Sequence, residues 1–277
     1  MVLIAQISDL HLVSDGKLCY GTVDTNELAR RAVEAVNRLH TKPDAVVVTG
    51  DIIDTAREED YKLARDILDR LDAPYFLLSG NHDDTQALKR VFADKEFAAG
   101  GPPRRLYYAV DFETVRMIVL DTSVPGASHG SISDDQLEFL RHELDRETER
   151  PIIVALHHPP IPTGNRWMDT IGLFEPAELA KIISAHDNVS LIMCGHCHRT
   201  VFGNFAGSPV IIAPSTGHQL EHALGNRDEV FAYNLEPPSF LLHRWTANAG
   251  LTTHLLLVDR FPGPFTFSWE NDEDRPG

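Results

Sequence analysis

Short apolar, β-branched runs recur along the first two-thirds of the chain, each followed at once by a polar cluster. Residues 2–7, 45–49, 75–78, 152–156 and 189–193 have strand length and end at breakers, so five strands are predicted there. Between them the apolar positions step by three and four. Leu28, Ala32, Val33, Val36 and Leu39 follow Asp24 and Thr25, either of which can cap a helix. Tyr61, Ala64, Ile67, Leu68 and Leu71 mark a second helix over 58–71, and further helices are predicted at 85–92, 133–146 and 176–186. Their apolar stripes read as core packing. Residues 106–110 and 115–120 predict a hairpin or neighbouring strands, and the alternation as a whole predicts a layered α/β domain.

Past His198 the pattern turns β-rich, with strands expected at 200–205, 209–213, 240–245 and 251–258 and a loop over 221–239. The charged tail 271–277 is expected to fray. There is no internal repeat or low-complexity linker. The expected organisation is therefore a core over residues 1–199 and a β-rich part over 200–277. The latter would complete the sheet layer and form a cap or an oligomer contact.

Charge narrows the partners. Against 25 basic residues stand 41 acidic ones, a formal net charge of −16, so a long nucleic acid would meet a repulsive field. No apolar stretch is long enough for a membrane span, and the start lacks a basic leader segment, which makes the cytoplasm the expected location. Three cysteines do not suggest a disulfide framework and fit a reducing compartment. Cys194-Gly195-His196-Cys197 spells C-x-x-C, but a redox motif of that kind should open a helix early in a small βαβ unit, and this one runs into a strand-like segment.

The polar clusters carry the chemistry. They are Asp9-Leu10-His11, Gly50-Asp51, Gly80-Asn81-His82-Asp83, His157-His158 and Gly195-His196-Cys197-His198, each directly after a predicted strand. Loops at the carboxyl ends of neighbouring strands converge on one crevice in an open α/β sheet. Carboxylates, imidazoles and an amide carbonyl suit divalent Zn, Mn, Co or Fe, whereas a structural zinc site would use thiolates. Two metals about 3.5–4 Å apart can bind both the attacking and leaving oxygens of an in-line displacement and lower the pKa of a bridging water. Two such cations would outweigh the ligand carboxylates, so a small phosphate anion remains a fitting ligand despite the global charge.

The order D-x-H, G-D, G-N-H-D, H-H and G-H-x-H resembles the calcineurin-like metallophosphoesterase superfamily, over Asp9 to His198. That resemblance implies an α-β-β-α sandwich holding two divalent or trivalent metal ions. It implies that Asp9, His11 and His198 bind one metal, that Asn81, His157 and His196 bind the other, and that Asp51 bridges them. His82 would contact the phosphate, with Asn81 beside it, and protonate the leaving alkoxide; the nucleophile would be metal-bound hydroxide. His158 is expected to pack or support the ligands, Asp83 and Asp84 to cap the following helix, and Asp54 to support the loop around Asp51.

The protein phosphatases of this superfamily continue the second motif as G-D-x-x-D-R-G, and here Gly50-Asp51-Ile52-Ile53-Asp54-Thr55-Ala56 lacks the arginine. A monoester dianion needs that bidentate cation more than a diester does. Purple acid phosphatases have a tyrosine where Asp54 stands. The finer resemblance is to bacterial glycerophosphodiesterases and class III cyclic nucleotide phosphodiesterases, and Gly217-His218-Gln219 also matches the former, which places His218 near substrate. The expectation is a phosphodiesterase for small diesters, assembled as a homodimer or higher homo-oligomer. A phosphomonoesterase, a non-catalytic scaffold and a nuclease are the alternatives. The loop 162–174, with Asn165, Arg166, Trp167 and Met168, can line the pocket or simply connect.

Overall fold

The computed structural model describes residues 1–224 and 230–267. The chain begins with β1 (Val2–Ile7), α1 (Thr25–Asn37), β2 (Ala45–Val48), α2 (Glu58–Leu68), β3 (Tyr75–Leu77) and α3 (Thr85–Val91). It continues with β4 (Tyr108–Asp111), β5 (Arg116–Val119), α4 (Asp134–Asp145), β6 (Ile152–Ala155), α5 (Ala177–Ser184) and β7 (Val189–Cys194). Strands β8 (Val201–Phe205), β9 (Ser208–Ile212), β10 (Gln219–Leu220), β11 (Tyr233–Asn234), β12 (Ser239–Thr246) and β13 (Gly250–Leu257) follow.

The predicted strands and helices form, with ends moved by a few residues. Asp24 is the cap of α1, its carboxylate accepting the Glu27 amide at 3.0 Å. β11 lies inside the segment expected to be all loop; a two-residue strand carries no periodicity to read. The tail 271–277 lies outside the described residues.

Two sheets result. One runs β13-β12-β1-β2-β3 and the other β4-β5-β6-β7-β9-β8. β1, β2 and β3 pair in parallel, as do β5, β6, β7 and β9, so their carboxyl ends share an edge within each sheet. Residues alternate in allegiance along β6. Ile153 and Ala155 join the core shared with the first sheet and α1 to α3, whereas Ile152 and Val154 join a second core with Leu140 and Leu144 of α4 and Ile182 and Ile183 of α5. The layers are therefore helix, sheet, sheet, helix. The β-rich segment contributes to both sheets, β8 and β9 to one and β12 and β13 to the other.

A polar pin joins the sheets beneath the carboxyl edge. Fully buried Gln6 on β1 donates to Thr49 Oγ1 at 3.0 Å and to the Cys194 carbonyl of β7 at 2.9 Å. Its own carbonyl meets His243 Nε2 of β12 at 2.9 Å, and Thr253 Oγ1 lies 2.8 Å from the other ring nitrogen. A buried amide so fully satisfied fixes the offset of the sheets.

Candidate metal centre

All five clusters meet at this edge. The loops after β1 and β2 are zipped together, with the Asp9 amide on the Gly50 carbonyl (3.2 Å) and the His11 amide on the Asp51 carbonyl (3.0 Å). The loop after β7 is tied in by the His196 amide on Asp9 Oδ1 (3.1 Å) and the Gly195 amide on the His157 carbonyl (3.0 Å). The loop after β3 arrives through the His82 amide on Asp51 Oδ1 at 2.9 Å.

The turns are tight and strained. Asp9, His11, Asp51, His196 and His198 have φ of 53°, 44°, 47°, 71° and 50°. Left-handed backbone at a non-glycine residue costs on the order of 1–3 kcal/mol and persists where surroundings over-determine it, characteristically at functional sites. Glycines supply the clearance. A β-carbon on Gly50 would lie 2.3 Å from His157 Nδ1, and one on Gly195 2.3 Å from Ser8 Oγ.

Proton accounting at the imidazoles shows what the cluster is built for. His198 Nδ1 faces the His218 carbonyl at 3.0 Å and His11 Nδ1 faces Asp54 Oδ1 at 3.2 Å, so both Nδ1 atoms carry the proton. Their Nε2 lone pairs then point at each other across 3.0 Å. His157 repeats the pattern: Nδ1 donates to the Thr49 carbonyl at 2.8 Å, leaving Nε2 facing Asn81 Oδ1 at 3.2 Å and Asp51 Oδ2 at 3.4 Å. Asp9 Oδ2 and His196 Nε2 are buried with no hydrogen-bond partner among the described residues. Converging lone pairs repel unless a cation lies between them, so the donor set fits metal ions.

Four groupings of ligand atoms occur among the described residues, His11 with His198 and His218 and His11 with Asp54 and His82 being two of them, and the other two divide the motif ligands. Ligand atoms of Asp9, His11, Asp51 and His198 lie within 4.8 Å of one another, and so do those of His157, His158 and His196. His158 is spoken for: Nε2 faces the Ser128 carbonyl at 3.2 Å, and Nδ1 lies 2.7 Å from the Thr122 hydroxyl. Asp51 Oδ2 stands between these two groupings, 3.7 Å from His11 Nε2 and 3.4 Å from His157 Nε2, while Asn81 Oδ1 faces His157 Nε2 at 3.2 Å.

Burial opposes charge on Asp9 and Asp51, yet His198 beside Asp9 and His157 beside Asp51 hold both carboxyls below their usual range. Burial also lowers the imidazoles, taking His196 to about 3 with His157 nearby. At His157 the Asp51 carboxylate overrides burial and lifts it to about 9. A site that draws in a proton there in place of a cation is one with surplus negative potential.

His82 is set apart. Its Nδ1 lies 3.0 Å from the Asp54 carbonyl, which turns Nε2 away from that contact; against burial, Asp51 raises its pKa, as does the Asp54 carbonyl. Asp54 does more than support a loop, since its carboxylate orients the His11 ring and its carbonyl orients His82. Asp84 caps α3 through the Ala87 amide at 2.9 Å. Asp83 does not cap it. Its Oδ2 accepts from Gly80 at 2.8 Å and Ile52 at 3.2 Å, clamping the second and third motif loops, and Tyr61 donates to Oδ1 at 3.0 Å.

The metal-side residues open into a cavity of about 340 Å³ that also holds Tyr20, Ser128, His218, Phe231 and Tyr233. His218 sits with its ring 4.5 Å from that of His198, and burial together with His198 pushes its pKa down to about 2. Of loop 162–174 only Ile171 lines this cavity, while Met168 belongs to the second core. Sequence reasoning missed Tyr20 and Tyr233, which lie outside any motif and reach the site only through tertiary folding.

Two facing sheets, flanked by helices, with carboxylates, imidazoles and a carboxamide converging from five strand ends define a layered α/β protein with a candidate dinuclear metal centre. The family profile of calcineurin-like phosphoesterases matches residues 2–200. A probable glycerophosphodiester phosphodiesterase of Arcobacter nitrofigilis is 34% identical over 98% of this chain and 99% of its own length. A 3′,5′-cyclic adenosine monophosphate phosphodiesterase of Pseudomonas aeruginosa is 31% identical over 93% of this chain and 90% of its own length. Among solved structures, a dimetal phosphatase from Danio rerio superposes with a TM-score of 0.61 at 15% identity, covering 93% of this chain and 99% of that one. The chain belongs to the calcineurin-like phosphoesterase family, a dinuclear metal-dependent fold.

Proposed function

We propose that this protein is a dinuclear metal-dependent phosphodiesterase acting on small diesters, either glycerophosphodiesters or 3′,5′-cyclic nucleotides. The observation that carries this reading is the pair of Nε2 lone pairs of His11 and His198 facing each other at 3.0 Å, with His157 Nε2 turned to Asn81 and Asp51 beside them. Asp9, His11 and His198 would hold one cation and Asn81, His157 and His196 the other, with Asp51 shared. Fe, Mn, Zn and Co all suit this donor set. Bound there, two cations supply Lewis-acid activation of the phosphoryl group and of water.

The chain's own residues do the rest. Asp54 fixes the ring of His11, and its carbonyl turns Nε2 of His82 towards a departing alkoxide, to which the imidazolium gives a proton. Asn81 and His218 orient the phosphate. The missing second-motif arginine favours a diester over a monoester. Residues 1–199 form the catalytic core, and the β-rich part 200–277 adds His218, completes the sheet layer and forms a cap or an oligomer contact. Edge strand β13 supports the latter, because Leu255 and Leu257 are exposed on it. Among the described residues no helix is long and apolar enough to cross a membrane, and a cytoplasmic location is consistent with that.

The test is hydrolysis by Mn-reconstituted protein of bis(p-nitrophenyl) phosphate, p-nitrophenyl phosphate, glycerophosphoethanolamine and 3′,5′-cyclic AMP, with Asn81→Ala and Asp51→Ala as controls. Diester turnover above monoester turnover, lost in both variants, is the expected result. Monoester preference points to a phosphatase; no turnover with metal bound points to a scaffold.

A further inference from the structure

The cavity at the candidate metal centre is lined by two unlike sets of residues. One is polar and carries the candidate ligands; the other comprises Tyr20, Tyr233, Phe231, Leu220 and Ile171. Tyr20, Phe231 and Tyr233 remain 49%, 53% and 37% exposed, a large outlay of aromatic surface to leave facing water.

These rings are held in place. Tyr20 has φ of 50°, at the tip of a turn closed by reciprocal Cys19 and Val23 amide-to-carbonyl bonds of 2.8 and 3.0 Å. Strain of this kind at a bulky residue persists only where the surroundings impose it. Tyr233 is fixed twice, by β10–β11 pairing opposite Leu220 and by its hydroxyl 2.6 Å from Thr22 Oγ1 on the Tyr20 turn. Both tyrosine rings contact substrate-side His218, at centroid distances of 5.2 Å, and each other at 5.4 Å.

We propose that Tyr20 and Tyr233 form a stacking wall that makes this site selective for phosphodiesters bearing a planar aromatic substituent, a nucleobase, over those with a polyol or ammonium headgroup. The proposal rests on the phosphodiesterase reading above and ranks its two substrate classes. A cage for a quaternary ammonium needs rings standing apart around the cation; rings 5.2–5.4 Å apart touch one another and leave only outward faces. No lysine or arginine lines the cavity among the described residues, and the wall itself offers few donors for a glycerol chain. A base laid on such a face gains stacking whatever its sequence of ring atoms.

The experiment compares kcat/KM for 3′,5′-cyclic AMP and glycerophosphoethanolamine in the Mn-loaded wild type, Tyr20→Ala, Tyr233→Ala and Tyr20→Phe. The wild type should favour cyclic AMP. Each alanine variant should lower the ratio of the two values about five- to a hundredfold, and Tyr20→Phe should keep it. A ratio unchanged in both alanine variants, or a wild type that favours glycerophosphoethanolamine, overturns the wall. Should the wild type hydrolyse neither diester, the phosphodiesterase reading fails on its own, and calorimetric binding of cyclic AMP decides: affinity lost in both alanine variants supports the wall, and unchanged affinity refutes it.

Discussion

Gly80 precedes the Asn81-His82 pair, and a β-carbon on it would stand 2.2 Å from Asp51 Oδ1 and 2.4 Å from the Asp51 amide nitrogen. Ordinary contact begins at 3.4 Å, so Gly80→Ala requires a relative displacement of about 1.2 Å, the difference 3.4 − 2.2. Neither neighbour yields easily: the nitrogen is backbone, and Oδ1 accepts the His82 amide at 2.9 Å. Overpacking of this kind costs roughly 1–3 kcal/mol of stability, within reach of a folded protein. The displacement falls on the carboxylate proposed to be shared between two cations. A misplacement of about 1 Å costs on the order of a hundredfold in rate. We expect Gly80→Ala to fold, to bind less than two equivalents of Mn, and to lose about a hundredfold in kcat/KM on bis(p-nitrophenyl) phosphate. Gly172→Ala is the control, since its β-carbon would meet nothing closer than 3.7 Å. Wild-type kcat/KM and two bound metals in Gly80→Ala would refute the shared position of Asp51.

Two further outcomes follow from named groups. His82→Ala should lower kcat by about 10²–10⁴ on diesters with an alkoxide leaving group and by much less on bis(p-nitrophenyl) phosphate, whose phenolate departs without a proton; equal losses on both would remove His82 from the acid role. Burial in the inter-sheet pin holds His243 down to about 3, whereas the unfolded chain takes up that proton near 6.5. Its contribution is therefore complete above pH 6.5 and is lost as pH falls towards 3, by about 3 kcal/mol at pH 4.5. Urea unfolding at pH 7 and 4.5 should show His243→Gln losing less stability than the wild type over that interval, and an identical loss in both proteins would contradict the assignment.

Periodicity located the main helices and strands, though not the two-residue β10 and β11, because helix and strand steps are local properties of the chain. The five clusters were legible for the same reason: each is a few residues long and follows its strand directly, so strand ends could be expected to bring them together. What folding decided is everything that depends on distance through space. The facing lone pairs of His11 and His198 join residues 187 positions apart. The left-handed backbone at Asp9, Asp51 and His196 is imposed by loops zipped across neighbouring strands. Asp83 illustrates the limit well. Its position ahead of α3 reads as a cap, a local role shared with Asp84, yet its carboxylate turns back to clamp the Asp51 loop, which only the pairing of β2 with β3 brings within reach. Tyr20 and Tyr233 carry no motif at all; the turn after β1 and the β10–β11 ribbon place them on the same cavity. The sequence by itself determined which side chains could hold metal and which segments would carry them, since both follow from residue type and short-range pattern. Tertiary structure alone decided which lone pairs meet, which ring lines the site and which carboxylate braces it, since these depend on sheet pairing that no local pattern encodes.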